Sequence, residues 1–375
     1  MKPRARDLGV PFDGETGRFN AITDIPGVEV GFSNTSDPDG LLEIGKGPIR
    51  TGVTALLPRG KNPKPSPVWA GQFSLNGNGE MTGSHWVNDA GYFIGPVCLT
   101  NTHSVGMVHH AAVGWMVDTY ADHFQEDHGW AMPIVAETYD GCTNDINGRH
   151  VTENHALNAL NSAASGPVTE GNCGGGTGML TYEFKGGTGS ASRQLKMGEQ
   201  SFVVAALVQS NFGSRADFVV RGVPVGMEWP EDAPLTELSL PEQGSIIVIF
   251  GTDLPLLPNQ LQRLAKRASI GIGRTGSPGG HYSGDIFLAF STANDIGLPG
   301  MSEHHPFFNK MDSLNDHYLD EVYKAAVDSI EEAILNAMVA AETMSFIKPA
   351  GYEAKAIDHA RLQELMKKYG RLSAI

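Results

Sequence analysis

Apolar residues in this chain gather in short unbroken runs, with helical spacing between them. Residues 246–250 (IIVIF) are apolar at every position. Such a run predicts a strand covered on both faces. Residues 285–292 (DIFLAFST) repeat the pattern, and residues 200–213 (QSFVVAALVQSNFG) predict a third buried strand with a polar end. Residues 27–32 (GVEVGF) alternate as a half-buried strand, and residues 52–60 (GVTALLPRG) predict another. A short strand from Met132 enters the polar loop that runs to Gly148. The glycine-rich stretches 71–83 and 170–179 predict turns, and residues 214–243 an irregular connection.

Between these runs the spacing turns helical. In residues 101–124, Val105, Val108, Ala112, Trp115, Met116 and Tyr120 fall near one face, with Thr102 or Ser104 as candidate cap. Residues 152–164 predict a short helix capped by Thr152. Residues 259–269 predict one with Leu261, Leu264, Ala265 and Ala268 inward. The end of the chain predicts two more helices. The first spans residues 319–344, apolar at Val322, Ala325, Ala326, Ile330, Ile334 and Met338, and the second residues 352–369. Apolar strands covered by amphipathic helices imply stacked sheets with helices outside. No shift in composition marks a boundary, so residues 1–375 are expected to form one domain.

Charge narrows the function. Forty-two acidic against 27 basic residues give a net charge of −15, which repels phosphate backbones and argues against nucleic acid. No apolar run approaches the ~18 residues of a membrane span, and residues 1–17 carry no apolar stretch of a secretory signal. The three cysteines, Cys98, Cys142 and Cys173, fit neither a disulfide framework nor a CxxC site. A cytoplasmic protein is expected. His109-His110 and His304-His305 are adjacent pairs, which chelate poorly because neighbours on a helix point ~100° apart. No metal and no cofactor are expected.

The candidate chemistry lies at strand ends. Gly244-Ser245 stands at the mouth of the 246–250 run. The pair is either a plain turn or a hydroxyl placed for use. Serine is a weak nucleophile without a base, and no GxSxG elbow surrounds Ser245. A cut before Ser245 would supply that base as its own α-amine, with a reference pKa of ~7.7–8.0. Gly244, lacking a Cβ, suits such a cut. Ser283 and Asp285 precede the second buried run in the same way. Asn211 ends a strand, where its amide suits an oxyanion or a turn. Glu137 and Tyr139 share one face of an extended segment, and a carboxylate there suits a substrate ammonium or solvent.

These residues sit in motifs that resemble the DmpA-type aminopeptidases, which include the L-aminopeptidase/D-Ala-esterase/amidases and the β-peptidyl aminopeptidases. The resemblance runs through residues 1–31, IGKGPIRTGVTA, ETYDG, NDING, EGNCGGGTGM, QSNFG and the block from EQGSIIVIFGTD to SGDIFLAFSTAN, in that order. It implies a four-layer α/β/β/α sandwich with an N-terminal-nucleophile active site. It also implies self-cleavage between Gly244 and Ser245 into fragments 1–244 and 245–375, assembled as a homotetramer. Ser245 matches the nucleophile, and Ser283 a supporting serine. Asp285 matches an acid that positions the amine, and Asn211 the oxyanion asparagine. Tyr139 matches a tyrosine of the same site, and Glu137 the carboxylate that binds the substrate's amine. The implied substrates are peptides, amides or esters with a free N-terminus. Two alternatives stand beside this reading. One is an ornithine-acetyltransferase-like acyltransferase, against which a serine rather than a threonine at 245 argues. The other is a non-catalytic ligand-binding protein of the same fold.

Overall fold

The computed structural model describes residues 2–126, 128–241, 244–298 and 307–373. His304 and His305 fall outside the described residues. The strands, in chain order, are β1 (Glu29–Ser36), β2 (Arg50–Leu57), β3 (Val68–Ser74), β4 (Tyr92–Phe93), β5 (Val97–Asn101) and β6 (Ile134–Thr138). After them come the short pair β7 (Leu180–Thr181) and β8 (Phe184–Lys185), then β9 (Gly187–Met197), β10 (Gln200–Asn211), β11 (Ser245–Thr252) and β12 (Gly284–Ser291). A hairpin of β13 (Met344–Ile347) and β14 (Ala350–Ala354) follows.

Two sheets stack face to face. One has four strands in the order β1-β2-β5-β6, the other six in the order β4-β3-β12-β11-β10-β9. Strand β11 shows why they must stack. Its odd positions, Ile247 and Ile249, pack with Leu207, Ile286 and Leu288 against Val30, Leu56, Leu99 and Ala136 of the smaller sheet. Its even positions, Ile246, Val248 and Phe250, face the helices Pro258–Ala265, Ala268–Arg274 and Leu319–Val339. The far side of the smaller sheet is covered by the helices Val105–Thr119 and Glu153–Ser162, through Val108, Ala112, Trp115, Met116 and Leu160. The result is four layers, α/β/β/α.

The inward residues expected of the 259–269 and 319–344 helices are all in the core, but several element bounds differ. Asn101 ends β5 rather than opening a helix, its side chain donating to Thr51 Oγ1 at 2.8 Å. The helix starts at Val105, and neither Thr102 nor Ser104 caps it with a side chain. The long C-terminal helix stops at Val339. The stretch expected as a helix from residue 352 opens instead as strand β14. Pro349 has no N–H to extend a helix, and the helix resumes at His359, where Asp358 accepts from Arg361 N at 2.9 Å. Residues 71–74 belong to β3 rather than to a turn. Strand β9 has no apolar signature: it buries Ser190, Ser192 and Arg193, and Arg193 pairs with Glu332 at 2.7 Å. Among the described residues no helix is long and apolar enough to cross a membrane.

The helix Leu319–Val339 rests directly on β9 because residue 189 is glycine. A Cβ there would lie 2.0 Å from Ala333 O and 2.8 Å from Ala337 N. Gly189→Ala is expected to destabilise the fold by about 1–3 kcal/mol, the usual range for overpacking. A urea unfolding curve checks this: its midpoint should fall, with the slope unchanged.

Candidate active site

The register of β11 sets the position of Ser245. In the antiparallel pair with β10, Ser245 stands opposite Asn211, and in the parallel pair with β12 it stands beside Gly284. Ser245 and Asn211 share the parity of Ile247 and Gln209, so both face the smaller sheet. Gln209 donates to Thr100 O at 2.9 Å and Thr138 Oγ1 at 2.8 Å, locking the ends of β5 and β6 over this spot. β6 leads straight into Tyr139, which brings Glu137 and Tyr139 to the same place.

Together they line a cleft of about 530 Å³, a size suited to a small ligand. Ser245, Gly244, Asn211, Tyr139 and Glu137 all border it. Ser245 is 5% exposed, and its Oγ donates to the Gly244 carbonyl at 2.8 Å. The same carbonyl accepts from Gly284 N at 3.3 Å. Asn211 is held at both ends of its amide: Nδ2 donates to Tyr139 O at 3.0 Å, and Oδ1 accepts from Leu180 N at 2.8 Å. One amide hydrogen remains for a ligand. The Tyr139 ring folds over Gly141, whose missing Cβ makes room for it. Burial, with Cys142 and Asp140 beside it, pushes the Tyr139 hydroxyl pKa up.

Glu137 is 3% exposed. Its carboxylate accepts from Thr102 Oγ1 and from Glu80 N at 3.0 Å. Burial raises its pKa above the usual carboxylate range. Those two hydrogen bonds lower it in part, and the charge of Glu80 raises it again. Two bonds do not exhaust a carboxylate's acceptor capacity. Glu80 and Thr102 also border the cleft.

Ser283 and Asp285 do not border the cleft. Both are buried next to it, Ser283 Oγ donating to Asp285 Oδ1 at 2.6 Å. Asn76 Nδ2 donates to Asp285 Oδ2 at 3.1 Å. Asp285 pairs with Ile246 rather than with Ser245, so its side chain leaves the strand on the helix side. Residues 76–80 tie this pair to the cleft: Asn78 O lies so close to Gly284 that a Cβ there would sit 2.3 Å from it. The roles of Glu80, Thr102 and the loop 76–80 were not foreseen, although the glycine spacing of LNGNGE marked a tight loop. Among the described residues no group of three or more His, Cys, Asp or Glu side chains is placed to hold a metal.

Comparison with known proteins shows what the whole chain resembles. The model of peptidase family S58 matches residues 20–350. Beta-peptidyl aminopeptidase BapA of Sphingosinicella microcystinivorans is 49% identical over 387 residues, spanning 99% of this chain and 94% of that protein. The protein of the same name from Sphingosinicella xenopeptidilytica is 43% identical over 375 residues, spanning 97% and 91%. Among solved structures, the L-aminopeptidase D-Ala-esterase/amidase of Ochrobactrum anthropi, described as a variant of the Ntn hydrolase fold, superposes with a TM-score of 0.93. It is 55% identical, with 99% of this chain and 100% of that chain covered. The beta-aminopeptidase of a Burkholderia species superposes with a TM-score of 0.87 at 42% identity, with 98% and 99% covered.

Proposed function

The chain belongs to peptidase family S58 and is a serine-type aminopeptidase, and on that premise we propose that it matures by cutting itself between Gly244 and Ser245. Fragments 1–244 and 245–375 then remain together, and Ser245 becomes an N-terminal nucleophile. The observation that carries this reading is the contact of Ser245 Oγ with the Gly244 carbonyl at 2.8 Å. In the cut, Oγ adds to the Gly244 carbon and the C–N bond breaks. The peptide becomes an ester with a free Ser245 amine, and water hydrolyses that ester to a Gly244 carboxylate.

In turnover, the Ser245 amine takes the Oγ proton as Oγ attacks the substrate carbonyl. It then passes that proton to the leaving group, and water releases the acyl part. An α-amine has a pKa of ~7.7–8.0, suited to this exchange near neutrality. Asn211 donates to the oxyanion from an amide already fixed at both ends, so little reorganisation is needed. Tyr139 borders the same space. Ser283 and Asp285 act from behind the strand as positioning residues for the amine. Glu137 receives the substrate's ammonium with its remaining acceptor capacity. The substrates are small peptides, amides or esters with a free amine, of L-, D- or β-residues. The working form is a homotetramer in the cytoplasm, where the three free cysteines stay reduced.

Purified protein should run as two chains on a denaturing gel, the smaller one beginning Ser-Ile-Ile-Val by N-terminal sequencing. Ser245→Ala should run as one chain without activity. An active wild-type enzyme that is never cut would overturn the mechanism.

The second prediction concerns pH. Glu137 must be ionised to hold an ammonium, and burial raises its pKa. As pH falls, kcat/KM should drop first as the Ser245 amine protonates, near ~7.7–8.0, and then more steeply as Glu137 protonates, at a pH above the usual carboxylate value of ~4.3. Glu137→Gln should keep the first fall, lose the second, and raise KM by about 10- to 100-fold, the worth of a charged hydrogen bond. N-acetylated substrates should be nearly inert. A pH profile of kcat/KM on an aminoacyl amide, for both proteins, checks this.

A further inference from the structure

One wall of the cleft is made by the chain just ahead of Gly244. Leu235, Leu240 and Pro241 line it, facing the same space as Leu180 and Phe212. This wall is apolar, whereas Glu80, Thr102 and Glu137 make the cleft polar elsewhere.

The wall is held by a buried carboxylate that the mechanism does not use. Glu183 is 2% exposed. It accepts from Leu235 N at 2.8 Å, Thr236 N at 2.9 Å, Thr236 Oγ1 at 2.6 Å and Arg215 N at 3.0 Å. Tyr182 and Glu183 have φ of 51° and 62°. Two successive side-chain-bearing residues in the left-handed region are strained and persist only where their surroundings hold them. The surroundings hold them there, with the Tyr182 hydroxyl bonded to Thr275 Oγ1 at 2.8 Å and Ser277 N at 3.0 Å. Arg215 lies over the Phe184 ring at 3.4 Å and donates to the carbonyls of Trp229, Glu231 and Asp232 at 3.2, 2.7 and 3.1 Å. Leu240 N closes the turn onto Leu235 O at 2.9 Å. The bonds of Glu183, those of Arg215 and the Leu240–Leu235 turn all join residues ahead of the Gly244–Ser245 peptide, so breaking that peptide leaves them within one fragment, while the Tyr182 hydroxyl ties that fragment to Thr275 and Ser277 of the other.

We propose that Glu183 is a positioning residue that keeps the end of the large fragment in place as a lasting wall of the substrate cleft. Leu235 and Leu240 on that wall favour substrates whose first residue carries an aliphatic side chain. The inference rests on the reading that the chain is cut before Ser245. The substrate's ammonium is fixed at Glu137 and its carbonyl at Ser245. The side chain between them is the part left to meet the walls, and an apolar wall rewards an apolar group.

The test compares leucine p-nitroanilide with glycine p-nitroanilide, so that the leaving group is constant. It uses fully cleaved wild type, Leu240→Ala and Glu183→Gln. Glu183→Gln turns one carboxylate oxygen into an amide that faces backbone donors, which opens the clamp. In both variants the leucine-to-glycine ratio of kcat/KM should fall about tenfold, through KM for the leucine substrate, as expected for losing part of an aliphatic contact. An unchanged ratio in cleaved Leu240→Ala overturns the inference. That variant removes no hydrogen bond of the clamp, so it decides the matter even if Glu183→Gln fails to mature. The parent reading fails differently: the wild type would remain a single chain.

Discussion

Ile246, Val248 and Phe250 leave their strand on one side and Ile247 and Ile249 on the other, and neither set is stable in water. Each such side chain gains roughly 1.5–3 kcal/mol on burial, so a single covering layer leaves about half of the gain unrealised. Helices cover one face and a second sheet the other. That second sheet is what carries β6, and hence Glu137 and Tyr139, over the end of β11. Ser245 is the first residue of the same strand, and its direction follows from the parity of the isoleucines behind it. The rigid placement of a small hydroxyl is thus a by-product of hydrophobic cover.

Two buried carboxylates border the cleft, and their surroundings give them different work. Glu183 receives four hydrogen bonds from its own chain. Its acceptor capacity is spent, and it acts as a brace. Glu137 receives two, from Thr102 and from the backbone of Glu80. It keeps acceptor capacity beside the cleft, and burial raises its pKa. The same carboxylate chemistry is thus fully bonded in one place and left with acceptor capacity in the other, decided by how many donors the fold supplies.

Much of this was legible beforehand, for a physical reason. Strands buried on both faces must be apolar throughout, so β10, β11 and β12 declared themselves; of the polar residues singled out at their ends, Asn211 and Ser245 border the candidate cleft, while Ser283 and Asp285 do not. Helical faces such as Leu261, Leu264 and Ala265 were equally plain. Strand β9 was not, because Ser190, Ser192 and Arg193 are buried through hydrogen bonds and an ion pair rather than through apolarity. The β13–β14 hairpin was missed: it lies mainly between the helices expected at 319–344 and 352–369, and only its ends, Met344 and residues 352–354, were taken for helix. Partners of Glu137 such as Glu80 lie far off in sequence, and no local pattern reports a backbone N–H that reaches a carboxylate across a cleft. The face taken by Asp285 follows from simple alternation with Phe287, since both stand on the helix side.

Strand order in the larger sheet has a consequence for assembly. β11 and β12 lie side by side in the middle, between β3 on one flank and β10 on the other. Residues 1–244 alone therefore hold the two outer portions of a sheet with its centre missing, and residues 245–375 hold only that centre. Neither piece can bury its apolar faces, and the larger one would expose two unpaired edges open to aggregation. Folding must come first and any break at residue 244 second. Once broken, the molecule has lost the tether that made its assembly a one-chain event. Its lifetime then rests on the height of the barrier to coming apart, because refolding has become a meeting of two partners in competition with edge-to-edge association.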